Sequence, residues 1–300
     1  MTNSIAEISG ASTIFAIGTN TTQAHPVLAL QAKKAAREGA NLIVANPKEI
    51  DLCRHATIHL QHRPGTDVAL VMGMIKVIVD AGLADMDFIS SRCENYDGFV
   101  DSLKEFDLAT AEKITGVPGE LISKAAKMYA GEGPSSILYC MGITQHCHGT
   151  DNVWSLSNLA LVTGNIGKAS AGVNPLRGQN NVQGSCDMGA LPDVYPGYQK
   201  VAKAENKQKF EAAWGVSLSD KEGLTHSEIF DDIHDGEITA LYLIGENPYL
   251  SEANANHAIE SMNRLDFLVV QDIFLTETAE LADVVLPASS FAEKDGTFSN

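Results

Sequence analysis

Arg177 lies in the stretch AGVNPLRGQNNVQGSCDMGALPDVYPGY, residues 171–198, with Pro175 stiffening the approach and Gly178 loosening the exit. A guanidinium is a planar fork of donors that matches a carboxylate at two points. Gln179, Asn180, Asn181 and Gln183 place amide donors and acceptors beside it. In an acidic chain, such an arginine in a Gly/Asn loop is a candidate anion anchor. Gly18 and Asn20 form a second group, repeated as Gly245 and Asn247, each at the end of an apolar run. Glycine there lets a ligand approach the backbone, and the following helix start offers N–H groups and a positive dipole end suited to phosphate. Two further groups, Asn46-Pro47-Lys48 and Gln271-Asp272, end the next apolar runs, where an amide or acid commonly holds a ribose hydroxyl or base edge. Taken singly, each could be ordinary turn chemistry. His146, Cys147 and His148 are adjacent; on a strand they would point to opposite faces, so no metal site is expected there, and polar lining of a pocket is expected instead.

The elements that must carry these groups alternate between strand and helix. Strand-like runs cover 13–18, 41–46, 56–61, 135–142, 238–245, 266–273 and 282–287. Helical patterns cover 26–39, with Pro26 in the first turn and Gly39 past the end, and also 67–82, 120–130, 150–163 and 251–262. This alternation predicts α/β architecture, with mostly parallel sheets covered by helices. Residues 165–198 break the pattern with Gly, Asn and Pro, and are expected to be a functional loop.

The two ends repeat one another. IGTN at 17–20 matches IGEN at 244–247, an offset of 227; LIVANP at 42–47 matches LVVQDI at 268–273, and ATIHLQ at 56–61 matches ADVVLP at 282–287, both offset by 226. Two related α/β units are expected, 1–179 and 180–300, each with a ligand site at the same strand ends. Two copies suit a ligand with two similar halves, such as a dinucleotide. Neither copy carries GxGxxG, so the common nicotinamide fingerprint is absent.

Composition bounds the rest. The 300 residues carry 38 Asp and Glu against 21 Lys and Arg, a net charge of −17, which argues against a nucleic-acid partner. Five cysteines with no CxxC pair suggest neither a disulfide framework nor a cluster motif, and fit a cytoplasmic protein. No run reaches the roughly 20 apolar residues of a membrane span. The opening MTNSIAEISGAS lacks a basic, then apolar, leader, so no signal peptide is expected; the final KDGTFSN lacks a cap or tail, so a piece of a longer protein is expected.

The central segment resembles the signature loop of molybdopterin-dependent formate dehydrogenase catalytic subunits. GTNTTQAHPV, LIVANP, CMGITQ, LALVTGNIGK, GENP and VQDIFLTETAELADVVLP have counterparts in the same order along the whole chain. The resemblance implies two related doubly wound, Rossmann-like αβα domains of the DMSO reductase/formate dehydrogenase superfamily. These hold a bis-molybdopterin guanine dinucleotide carrying Mo or W. It places Gly18, Asn20, Asn46, Lys48, Gly65, Asp67, Met141, Gly142 and Gln145 on one dinucleotide. Gly245, Asn247, Ser251, Gln271 and Asp272 fall on the other, and Gly178 and Gln179 near the pterin and metal. Arg177 would orient formate for oxidation to CO2, with electrons leaving through iron–sulfur clusters to electron-transfer subunits or domains. The metal-ligating Cys or selenocysteine, a 4Fe-4S motif and a cap domain belong to regions of such proteins outside this chain. No metal ligand is therefore expected within it, and the 300 residues alone are expected to be inactive. Where the family often has Asp and Arg after the second strand, this chain has Asn46 and Lys48. The alternatives are another molybdopterin oxidoreductase, of nitrate reductase or formylmethanofuran dehydrogenase type, or a non-catalytic cofactor-binding module.

Overall fold

Apolar runs buried on both faces build the first sheet. In the computed structural model, which describes all residues except Glu105, Glu132 and Asn300, the strands are β1 (Thr13–Ile17), β2 (Asn41–Ala45), β3 (Ile58–Leu60), β4 (Ser135–Tyr139) and β5 (Gly172–Pro175). All pair in parallel in the order β3-β2-β1-β4-β5. Alternate side chains feed two cores. Phe15, Ile17 and Ile43 pack on one face with Leu70, Met74, Ile75 and Ile122. Ile14, Ala16, Leu42 and Val44 pack on the other with Leu28 and Ala32. Helix Pro26–Arg37 joins β1 to β2, with Pro26 at its first turn and Gly39 beyond its end at φ +104°. Helices Asp67–Asp80, Gly119–Tyr129 and Gly149–Val162 cover the opposite face. The strand order reverses between β1 and β4, and the crevice at such a switch point is where open α/β sheets bind ligands.

The chain separates into two compact units, Met1–Gly178 and Gln179–Asn300. The second holds a two-stranded antiparallel ribbon of β6 (Val194–Tyr195) and β7 (Gln199–Lys200), then a parallel sheet of β8 (Ala240–Ile244), β9 (Phe267–Asp272) and β10 (Val284–Pro287) in the order β10-β9-β8. Its register repeats that of the first sheet. Thr13 lies opposite Asn41 and Ile17 opposite Ala45; Ala240 lies opposite Phe267 and Ile244 opposite Gln271. Phe230, Ile233, Ala258 and Met262, from helices His226–Asp235 and Ala255–Met262, form its core with Leu241 packed against them. Tyr242, Ile244 and Phe267 are exposed.

Two expectations change. The strand expected over 135–142 stops at Tyr139, and Met141–Thr144 coils into a helical turn that brings Gly142 back against β1. The Gly/Asn-rich segment is not one loop: it supplies β5, helix Val182–Asp187 and the β6–β7 ribbon. Among the described residues, no helix is long and apolar enough to cross a membrane.

Candidate functional site

A cleft of about 380 Å³ opens at the carboxyl ends of β1 to β4. Its floor is a pair of glycines. Gly18 ends β1 with φ +58°, donates its N–H to the Ala45 carbonyl at 3.2 Å and accepts from the Gly142 N–H at 3.0 Å. A Cβ on Gly18 would stand 2.8 Å from the Gly142 backbone, and one on Gly142 would stand 2.5 Å from the Gly18 oxygen. Neither position has room for a side chain, so the floor is bare backbone.

The TNTT segment after Gly18 forms the next wall. Thr19 and Thr21 are buried, and the side-chain oxygens of Thr19, Asn20, Thr21 and Thr22 are out of contact with water and lack a hydrogen-bond partner among the described residues. Four buried polar oxygens without a partner in one short segment are costly, and they suit a polar ligand. The Asn20 amide nitrogen donates to Gln23 Oε1 at 3.0 Å. Across the cleft, Asn46 Oδ1 accepts the Lys48 N–H at 2.9 Å, folding Pro47 into a tight turn that puts Lys48 at the rim. Lys48 is the cleft's one lysine or arginine among the described residues that line it.

Gly65 (φ +77°) turns the chain into helix Asp67–Asp80. That turn brings His62 onto Asp67, Nε2 to Oδ1 at 2.9 Å, with both residues buried. Position at a helix start and the imidazole together compensate the buried carboxylate. His146 Nε2 stands 3.8 Å from the second Asp67 oxygen. His62 and His146 line the cleft. His62 was missed in sequence, because a contact across a five-residue turn follows neither helical nor strand periodicity, whereas His146 was expected as polar lining of a pocket.

Met141 and Gln145 are exposed beside Gly142 and do not line this cleft. His146, Cys147 and His148 lie not on a strand, as expected, but in the turn between Met141–Thr144 and Gly149–Val162. They edge a second cavity with Asp151. Among the described residues, no three His, Cys, Asp or Glu side chains converge as a metal site.

Arg177 follows β5 and is exposed. The residue before it is tied to β4: Leu176 N–H donates to Tyr139 O at 2.8 Å, and Cys140 Sγ donates to Leu176 O at 3.0 Å. The guanidinium acts on its surroundings. Burial pushes the Tyr139 phenol up and Arg177 partly offsets this, while burial and then Arg177 lower the Met1 amine. Gly178 ends the first unit beside Met141: a Cβ there would lie 3.7 Å from the Met141 sulfur. Gln179 begins the second unit and is exposed.

Within the second unit, the same turns recur. Gly245 (φ +66°) donates to Gln271 O at 2.9 Å, as Gly18 does to Ala45. Asp272 Oδ1 accepts the Phe274 N–H at 3.0 Å, as Asn46 does that of Lys48. Gln271 Oε1 accepts from the Tyr242 hydroxyl. Asn247 is already engaged: its Oδ1 accepts from Thr278 Oγ1 at 2.6 Å and its Nδ2 donates to Glu277 at 2.8 Å, pulling the Glu277 carboxyl below its usual range through hydrogen bonds, its own backbone N–H first. Ser251 closes the short helix Pro248–Ser251.

The family model for molybdopterin oxidoreductases matches residues 1–300. The chain belongs to the molybdopterin oxidoreductase family. It is 50% identical over 300 residues to the F420-dependent formate dehydrogenase subunit alpha of Methanocaldococcus jannaschii, covering 100% of this chain and 44% of that protein. It is 42% identical over 300 residues to formate dehydrogenase H of Escherichia coli, covering 100% of this chain and 42% of the other. It therefore spans less than half the length of these relatives. Acetylene hydratase from Pelobacter acetylenicus shares the fold, with a TM-score of 0.73 at 23% identity, over 94% of this chain and 43% of that one. The α/β architecture with mostly parallel sheets is thus shared with that solved structure. For this family a molybdopterin cofactor is the expected occupant, and the cleft suits its polar body: a backbone floor, orphaned hydroxyls and one cation.

Proposed function

We propose that this chain is part of the catalytic subunit of a formate dehydrogenase that oxidises formate to CO2 at a bis-molybdopterin guanine dinucleotide centre. The carrying observation is the seat of Arg177. Its backbone is fixed at the carboxyl edge of the first sheet, next to the strand whose end supplies Gly142, while its side chain is exposed. A guanidinium so held presents two parallel N–H donors to a carboxylate. The 50% identity to a formate dehydrogenase alpha subunit along the whole chain supports the same substrate.

In this reading, one dinucleotide lies on Gly18, Asn20, Asn46, Lys48, Gly65, Asp67, Met141, Gly142 and Gln145, with Asp67 also holding His62 and the Gly142 carbonyl holding His146. The other lies on Gly245, Asn247, Ser251, Gln271 and Asp272, and Gly178 and Gln179 stand near the pterin. When bound, the cofactor, with Mo or W, supplies the two-electron acceptor. The protein's part is to bind and orient. Arg177 neutralises the formate carboxylate and aims its C–H bond, and the loss of charge on forming CO2 weakens that grip and favours release. A 4Fe-4S cluster, electron-transfer partners and a cytoplasmic location complete the proposal, and the 300 residues alone are expected not to turn over.

The test is anaerobic formate oxidation by the full-length subunit, with metal analysis, for wild type, Arg177→Lys and Arg177→Ala. Loss of the fork raises KM for formate by roughly 10- to 100-fold in Arg177→Lys, the value of a charge-assisted hydrogen bond. An unchanged KM in a metal-loaded variant removes Arg177 from the substrate. A metal-loaded wild type inert to formate removes the formate reading altogether.

A further inference from the structure

Arg177 is held from a second side. His25 lies between the short helix Thr21–Ala24 and helix Pro26–Arg37, 152 residues away in sequence, and its Nε2 is 2.7 Å from the Arg177 carbonyl oxygen. A carbonyl only accepts, so Nε2 carries the hydrogen and donates. The other ring nitrogen, Nδ1, is out of contact with water and has no partner among the described residues. A ring placed only to fill space would not carry an orphaned nitrogen; an apolar side chain would fill it without that cost.

The geometry explains what the bond does. The bonds of Leu176 to Tyr139 and Cys140 fix the chain up to the residue before Arg177. Beyond it comes Gly178, which tolerates almost any backbone conformation. The Arg177 N–Cα bond is therefore the first about which the chain can turn, and the carbonyl that His25 holds moves with that turn. Rotation about this bond carries the carbonyl carbon and the Cβ together, so it would swing the guanidinium. His25 thus ties the arginine to the loop that follows β1, the same loop that carries the orphaned Thr19, Thr21 and Thr22 oxygens.

We infer that His25 is a positioning residue for Arg177: its Nε2–H bond to the Arg177 carbonyl restrains the backbone rotation that aims the guanidinium at formate. This rests on the reading of Arg177 as the formate anchor. It involves no contact of His25 with substrate.

The test uses the full-length enzyme with its cofactor loaded. Variants are His25→Ala, His25→Gln, Arg177→Ala and the His25→Ala/Arg177→Ala double, each assayed for KM, kcat, metal and pterin content. Gln places a side-chain N–H at a reach similar to Nε2 and should restore the bond. The expected result is a KM for formate raised about tenfold in His25→Ala, the effect of one lost orienting hydrogen bond, with kcat changed by no more than about twofold. Metal and pterin content should stay at the wild-type level, His25→Gln should lie within about twofold of wild type, and His25→Ala should add nothing in the Arg177→Ala background. A wild-type KM in His25→Ala, alongside a raised KM in Arg177→Ala, overturns the inference and leaves the formate reading standing. Loss of metal or pterin in both His25 variants overturns it too, making His25 a cofactor or folding residue. An unchanged KM in Arg177→Ala strikes the formate reading itself, and the inference falls with it.

Discussion

The Gly142 N–H donates to the Gly18 carbonyl at 3.0 Å, joining the ends of β4 and β1 at the point where the strand order reverses. The bond is possible only because neither residue has a side chain: a Cβ on Gly142 would meet the Gly18 oxygen at 2.5 Å and its carbonyl carbon at 2.8 Å. Backbone cannot yield as a side-chain tip can. Gly142→Ala should therefore lower unfolding free energy by about 1–3 kcal/mol, the usual cost of overpacking, and pry the cleft floor apart. Urea denaturation of the full-length protein measures the first effect and retained pterin the second. An unchanged midpoint with full pterin content would show that the crevice can open without cost.

Buried His62 and Asp67 satisfy each other, and breaking the pair is costly from either side. Asp67→Ala leaves the His62 Nε2 buried with no acceptor and should cost about 1–3 kcal/mol. His62→Ala leaves the buried Asp67 Oδ1 without that partner and should cost a similar amount. The double variant should be less destabilised than the sum of the two, with a coupling of about 0.5–3 kcal/mol. Additive losses in a urea-denaturation cycle would mean the two side chains do not act as a pair.

Much of this was legible in the sequence, and the misses have physical causes. β1, β2 and β4 are runs buried on both faces, so their apolar content alone marks them. The repeat offsets of 226 and 227 reappear as equal registers, Thr13 opposite Asn41 and Ala240 opposite Phe267. β5 was hidden because Gly172, Asn174 and Pro175 are poor strand formers; its place is set by pairing with β4, where the buried Asn174 amide donates to Ser136 Oγ at 2.9 Å. The cleft glycines announced themselves by type and His146 by its place in a polar triplet, whereas His25 and His62 act through long-range or turn contacts that no local pattern encodes. Asn247 was singled out in sequence by its place after Gly245, but its bonds to Thr278 and Glu277 come from 31 and 30 residues away, which no local pattern encodes.

Acid should loosen the start of helix His226–Asp235 before it unfolds the sheets. Thr225 donates to Glu228 through its hydroxyl at 2.6 Å and its N–H at 2.8 Å, and these bonds hold the carboxyl below its ordinary 4.5. The folded value is depressed, so the ionised form stabilises the folded helix start. That contribution is complete above 4.5 and is lost as pH falls through the lower folded value. Side-chain NMR titration should find Glu228 titrating below 4.5 in wild type and closer to it in Thr225→Ala. A Glu228 midpoint unmoved by Thr225→Ala would assign the depression to another cause.

Lys48 should decide how tightly the first unit holds an anionic ligand. It is the one lysine or arginine among the described residues lining the cleft, and the turn closed by Asn46 Oδ1 sets it at the rim. Hydrogen bonds to charged groups are worth about 1.5–3 kcal/mol, so Lys48→Ala should weaken ligand retention by roughly 10- to 100-fold while leaving stability near wild type. Because Lys48 is a single positive charge, added salt should weaken binding in the wild type more steeply than in the variant. The pterin released from purified full-length wild type and Lys48→Ala at two salt concentrations tests both effects. Equal content at both salts would mean that the backbone floor and the threonine hydroxyls hold the ligand without Lys48, and the cleft would then select for polarity rather than charge.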